Sequence, residues 1–220
     1  MKRRVFSVSA VATVSAASGL GAFPTGTWAQ VRKFAEGVDF MALDKPIEVE
    51  APAGKVEVIE FFWYSCPHCN AFEPRLEAWV KTLPKDVSFK RVPIAFRDDF
   101  APQQRLFYVL EAMGKVDAMQ LKVFDAIHQQ KQAINTEDTI AAWVEKQGID
   151  KAKFLELYKS FAIATKARKA TQLQNAFKID GVPSIGIAGR FYTDGTLAKT
   201  MDRALQVTDY LITEARKIRA

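Results

Sequence analysis

The order of elements along the chain predicts an α/β domain interrupted by an all-helical insertion. Three observations carry that expectation. An apolar strand over residues 55–64 runs directly into a helix from Pro67. Residues 102–161 show only helical periodicity, and strand character returns at residues 184–193. The chain's two cysteines, Cys66 and Cys69, sit together at the first strand-to-helix junction.

Residues 31–54 are mixed in character, with a short strand expected near residues 47–50. In the next segment Val56, Val58, Ile59, Phe61 and Phe62 are branched or aromatic, and both faces are apolar towards its end. That is the pattern of a central strand covered on both sides. The following helix carries Phe72, Leu76, Trp79, Val80 and Leu83 at helical spacing. Pro67 suits its first turn, whereas Pro74 lies inside it and is expected to kink it. Residues 87–92 read as a second strand, which Pro93 either ends or confines to a sheet edge.

The insertion, residues 102–163, presents successive helical faces. Leu106, Phe107, Val109, Leu110 and Met113 form the first, and Val116, Met119, Val123, Phe124 and Ile127 the second. Asn135 or Thr136 caps a third with Ile140, Trp143 and Val144, and Asp150 a fourth with Phe154, Leu157, Tyr158 and Phe161. A further helix runs to Phe177. Gly181-Val182-Pro183 then breaks the pattern, a hairpin turning at Gly189 follows, and an amphipathic helix closes the chain. The two flanking parts, residues 30–101 and 164–220, make up the α/β domain.

Residues 1–29 read as a signal peptide. Lys2, Arg3 and Arg4 form a positive start, and residues 5–20 are uncharged and moderately apolar. Thr27-Trp28-Ala29 offers a small-residue cleavage site before Gln30. Interspersed serines and glycines dilute the stretch below what a spanning helix needs. Arg3-Arg4-Val5-Phe6 is similar to a twin-arginine export signal, and an ordinary export route is equally compatible with it. The net charge is +6, with 31 basic and 25 acidic residues; without the three basic residues of the leader the balance is 28 to 25. So mild an excess, with no basic stripe interleaved with aromatics, excludes a nucleic-acid partner.

Both cysteines lie in Cys66-Pro67-His68-Cys69, too few for a disulfide-dense scaffold. A thiol at a helix start faces unpaired backbone N–H groups and the positive end of the helix dipole, which favour thiolate. Pro67 preorganises the turn and His68 adds a donor or positive charge, so these two tune the redox balance. Stabilising the thiolate stabilises the reduced protein and makes the disulfide an oxidant. No metal is expected, because only His68 and distant His128 add nitrogen to the two sulfurs. An inert structural disulfide is disfavoured, since so tight a loop constrains the unfolded chain little.

Phe61-Phe62-Trp63-Tyr64-Ser65-Cys66-Pro67-His68-Cys69, together with Glu60, the long insertion and Val182-Pro183 before the hairpin, resembles the DsbA family of periplasmic thiol:disulfide interchange proteins. The resemblance covers nearly all of the chain after the leader and implies a thioredoxin-like fold with a helical insertion domain. It implies that Cys66 forms the mixed disulfide with substrate and that Cys69 is its internal partner. It also implies that Pro183 is a cis-proline whose loop lies against the disulfide, with Val182 offering backbone hydrogen bonds to substrate. Glu60 shares a strand face with Val56, Val58 and Phe62, where a lone carboxylate is costly unless paired or protonated. The family has an acid at this place, which implies proton transfer to or from Cys69, with Lys90 of the next strand as counter-charge. A carboxylate at a solvated strand end is the other reading of Glu60.

What the resemblance implies is a periplasmic, monomeric oxidase. It takes unfolded exported polypeptides with free thiols as substrates and is reoxidised by a quinone-linked membrane partner of the DsbB type, with no bound cofactor. A disulfide isomerase or reductase on the same fold is the alternative, disfavoured by the shortness of residues 30–54 as an extra dimerising domain. A chaperone-like binding module is the third reading. Trp63 or Tyr64 is expected to contribute an apolar surface, and His128 to be a solvated helix position.

Overall fold

The computed structural model describes residues 34–219. The leader read in residues 1–29 lies outside them. β1 (Met41–Ala42), β2 (Val56–Phe62), β3 (Val87–Pro93), β4 (Ser184–Ile187) and β5 (Phe191–Asp194) form one mixed sheet in the order β1-β5-β4-β2-β3. β2 and β3 are parallel and joined by α1 (Pro67–Val80), and the other neighbours are antiparallel. Between β3 and β4 come α2 (Ala101–Ala112), α3 (Val116–His128), α4 (Glu137–Lys146), α5 (Lys151–Lys159) and α6 (Phe161–Ala176). α7 (Met201–Arg219) ends the described chain.

Alternation along β2 divides the core. Ile59 and Phe61 belong to a cluster built with α2, α3 and α6, and Phe61 meets the Phe177 ring at 5.3 Å. Val56 and Val58 belong to a second cluster with Phe72 and Leu76 of α1 and Ala204, Val207 and Leu211 of α7. All seven residues of β2 are buried, as expected of a strand covered on both sides. β3 is one of the two edge strands, opposite β1, and tolerates Pro93 at its end.

Local chemistry sets the helix ends. Thr136 forms a reciprocal capping box with Thr139, Asp150 caps α5 through the Lys153 N–H, and Ser160 caps α6 through the Ile163 N–H. Ala188 and Gly189, with φ of 55° and 62°, make the tight hairpin turn between β4 and β5. Gly186 must lack a side chain, because a Cβ there would meet the Phe177 ring at 2.6 Å.

Three expectations need correction. No strand forms at residues 47–50; the edge strand there is β1, which pairs with β5. The Ile47 N–H goes to the Gly189 carbonyl and the Glu50 N–H to the Glu57 carboxylate, so no strand ladder forms there. Leu83 lies beyond the end of α1. Phe161 is 80% exposed because Ser160 starts a new helix there, which turns Phe161 away from the α5 face.

Candidate active site

β2 ends at Phe62, and the next three residues form a turn closed by the Cys66 N–H on the Trp63 carbonyl at 3.0 Å. Cys66 is the N-cap of α1, with φ −80° and ψ 118°, and Pro67 opens the helix. The first turn carries no acidic residue to oppose a thiolate. Both thiols are free; Cys66 keeps 7% of its surface exposed and Cys69 none.

The Cys69 N–H donates to Cys66 Sγ at 3.4 Å, and that thiol also reaches the Val182 carbonyl at 3.4 Å. The Val182–Pro183 peptide is cis. The loop before β4 therefore lies against Cys66, from 116 positions away in sequence.

The two thiols are electrostatically opposite. Cys66 is lowered to about 6, first by the Cys69 side chain, then by the backbone N–H groups of Cys69 and His68 and by the His68 charge, with burial opposing. Cys69 is pushed well above the ordinary thiol range, first by burial, then by the Cys66 sulfur and the charge of Glu60. One sulfur is poised as thiolate at neutral pH and its neighbour as thiol.

Behind Cys69 lies a buried polar cluster. Arg91 Nε stands 3.2 Å from Glu60 Oε2, and Arg91 Nη2 donates to Glu73 Oε1 at 2.5 Å. Gln120 Nε2 donates to Glu73 Oε2 at 3.4 Å, and the Tyr64 hydroxyl donates to Gln120 Oε1 at 2.7 Å. Glu60, Glu73 and Gln120 are wholly buried. Burial foremost, then the Glu73 charge, raises the Glu60 carboxyl well above its usual range, and Arg91 opposes. Glu73 is raised as well, again first by burial. One guanidinium thus serves two carboxyls, so the cluster is suited to retain a proton. Among the described residues neither Glu60 oxygen has a hydrogen bond, which leaves the Arg91 contact as an ion pair without hydrogen-bond geometry.

Lys90 is not the counter-charge of Glu60. In the parallel register Glu60 pairs with Arg91 and Ile59 with Lys90, so Lys90 projects from the opposite sheet face. There it pairs with Glu57 at 3.0 Å and Glu50 at 2.9 Å. Nor is Glu60 at a solvated strand end, being wholly buried. His128 is also displaced from expectation: half-buried at the end of α3, its Nε2 lies 2.8 Å from the Tyr64 carbonyl, inside the cysteine turn. Tyr64 is buried in the core. Trp63 stays half-buried and stacks on Phe100 at 3.8 Å, with Phe96, 39% exposed, edge-on beyond it. These rings give the cysteine turn an apolar flank.

Glu73, Arg91 and Gln120 were not singled out by sequence reasoning. A signal existed for Glu73: with Cys69, Phe72 and Leu76 it completes the buried stripe of α1. Arg91 follows from the same-face rule once β3 is known to be parallel and in this register. Gln120 likewise lies on the buried stripe of α3 with Met119, Val123 and Phe124, but its partners come from the turn after β2 and from α1.

The sequence matches the family model of the DSBA-like thioredoxin domain over residues 57–206. The thiol:disulfide interchange protein DsbA of Burkholderia cepacia is 43% identical over 182 residues, covering 83% of this chain and 86% of that protein. The protein of that name from Pseudomonas aeruginosa is 38% identical over 191 residues, covering 87% and 90%. The crystal structure of Pseudomonas aeruginosa DsbA superposes with a TM-score of 0.81 at 37% identity, covering 84% of this chain and 96% of that one.

The lowered Cys66 value links folding of the dithiol form to pH. Below about pH 6 the thiol is protonated in folded and unfolded chains alike. Between about 6 and the ordinary 9.0 the folded chain has lost a proton that the unfolded chain keeps, so stability rises with pH across that window. The unfolding free energy of the reduced protein relative to Cys66→Ser is expected to grow from pH 6 to pH 9 by about 1–2 kcal/mol, since solvent screening of the partly open sulfur reduces the full linkage value. Denaturant titrations across that range check this, and a difference independent of pH contradicts it.

Proposed function

The chain belongs to the DsbA-like thioredoxin family of thiol:disulfide oxidoreductases, and from that premise we propose that it is a dithiol oxidase which donates the Cys66–Cys69 disulfide to unfolded exported polypeptides. The observation that carries this reading is the asymmetry of the pair, a thiol lowered to about 6 at the helix start beside one raised by burial. A thiolate stabilised in this way is a good leaving group and favours the reduced enzyme, so electrons flow from client to enzyme.

In the oxidised enzyme a client thiolate attacks Cys66 Sγ. The Cys66–Cys69 bond breaks, and its electron pair goes to the Cys69 sulfur, which takes up a proton. A second client thiolate then attacks the client sulfur of the mixed disulfide and expels Cys66 as thiolate. The client gains a disulfide and the enzyme gains two electrons. Glu60, held protonated behind Cys69, is the proposed source of its proton. Pro67 and His68 tune the thiolate, and the Val182–Pro183 loop, already against Cys66, offers backbone hydrogen bonds to an extended client chain. The apolar flank of Trp63 and Phe96, backed by the buried Phe100, suits unfolded segments better than folded surfaces.

Residues 102–163 serve as the helical insertion of a thioredoxin-like domain formed by residues 30–101 and 164–220. We place the mature enzyme in the periplasm as a monomer, delivered by the leader of residues 1–29 and reoxidised by a quinone-linked membrane partner of the DsbB type. No helix among the described residues is long and apolar enough to cross a membrane.

Cys69→Ser is expected to accumulate a mixed disulfide between Cys66 and a thiol-bearing unfolded client when challenged with a client disulfide. Cys66→Ser is expected to form none. Mass spectrometry of the adducts checks both, and equal trapping through either cysteine contradicts the assignment of roles. In a second test Glu60→Gln, which is near-isosteric, is expected to slow thiol–disulfide exchange by up to about 10²-fold without unfolding the protein. Unchanged rates in stopped-flow fluorescence remove Glu60 from the mechanism.

A further inference from the structure

The proposed chemistry depends on how Cys66 enters α1, and a buried side chain from another helix grips the residue just before it. Gln103, in the first turn of α2, is 2% exposed. Its Oε1 accepts from the Ser65 N–H at 3.2 Å, while its Nε2 donates to Ser65 Oγ and to the Ile134 carbonyl, each at 2.7 Å. These partners dictate the amide's orientation. A carbonyl accepts only, so the nitrogen must face Ile134, and a backbone N–H donates only, so the oxygen must face it. The side chain is thus held at both ends, by the segment before α4 and by the turn before α1.

Ser65 belongs to the short turn between β2 and α1, whose Cys66 N–H to Trp63 carbonyl bond closes it. The direction in which Ser65 leaves that turn fixes where the Cys66 sulfur stands relative to the Cys69 N–H. We propose that Gln103 is a positioning residue for Cys66: by clamping Ser65 it holds the sulfur over the start of α1 and thereby sets the oxidising strength of the pair. Gln103 touches neither sulfur, and it acts through the backbone it holds. The insertion is then part of the redox tuning as well as a covering for the sheet. Gln104 is a built-in control. Equally buried at 2%, it bonds the Pro93 carbonyl at 3.0 Å and Thr171 Oγ1 at 3.3 Å, at the end of β3.

The test compares Gln103→Met, which keeps volume and loses all three bonds, with Gln104→Met. Circular dichroism establishes that each variant folds; thiolate absorbance against pH then reports Cys66, and equilibration with glutathione buffers reports the pair. Gln103→Met is expected to raise the Cys66 pKa by about 0.5 unit or more, roughly three-fold in the thiolate equilibrium. The glutathione equilibrium is expected to move towards the disulfide form by a similar factor. Gln104→Met is expected to lower stability and move neither value. A folded Gln103→Met with both values unchanged overturns the proposal, and so does an equal shift in both variants, which would be a packing effect. If Gln103→Met does not fold, Ser65→Ala decides, since it removes one of the three bonds: a shift in the same direction supports the clamp and none overturns it. The inference rests on Cys66 being the low-pKa thiol. A wild-type protein with an ordinary Cys66 pKa would overturn that reading instead, whatever the variants do.

Discussion

The Cys69 N–H donates to the Cys66 sulfur across the first turn of α1, and the geometry of the molecule is organised around keeping that contact. A sulfur at an N-cap meets donors that the helix cannot satisfy internally. A helix N-terminus by itself gives an anion about 0.3–1 kcal/mol at a surface site. Lowering a thiol from 9.0 to about 6 asks for more than that even after solvent screening of the partly open sulfur, so the dipole alone falls short. The remainder must come from directed contacts, namely the Cys69 side chain, two backbone N–H groups and the charge of His68. Directed contacts demand a fixed sulfur. β2, buried along its whole length, supplies a rigid approach, and Pro67 supplies a helix start with its φ already set.

The same strand separates two chemical environments. One face of β2 packs on the insertion helices and is apolar apart from Glu57 at its start, which Lys90 neutralises. The other face leads from Val56 and Val58 to Glu60. There Arg91 and Glu73 complete a cluster that holds more carboxyl groups than cations. Such a cluster costs stability compared with apolar packing, and its retention beside the buried thiol suits a proton-handling role. It keeps Cys69 neutral while Cys66, a turn away, is driven to thiolate. The division of labour between the sulfurs is therefore a consequence of depth: one sits at the helix mouth and the other against buried acids.

Much of this was legible in the sequence wherever a local rule applied. The buried strand, the helix start at Pro67, the glycine turn of the hairpin and the caps Thr136 and Asp150 each carry their own chemistry and stand where expected. What escaped depends on register or on distant chain. Lys90 and Arg91 are adjacent cations, and only the parallel pairing of β2 with β3 decides which one meets Glu60. His128 sits among polar neighbours that read as solvent-facing, yet its partner is a carbonyl 64 positions earlier. Gln103 occupies a buried stripe with Leu106, Phe107 and Leu110 that periodicity could have flagged, but its bond to Ser65 could not be seen without the fold. Residues 47–50 carry branched side chains, but their N–H groups go to the hairpin turn and to the Glu57 side chain, which only the fold reveals.

The most direct test of the central claim is the reduction potential of the Cys66–Cys69 pair, measured by equilibration with glutathione buffers. If the helix-start contacts stabilise the thiolate as argued, the potential lies towards about −120 mV, a value characteristic of DsbA proteins and not one obtained from this structure. A potential near about −270 mV, the thioredoxin end of the scale, would mean that the disulfide is not destabilised by those contacts and that the protein works as a reductant.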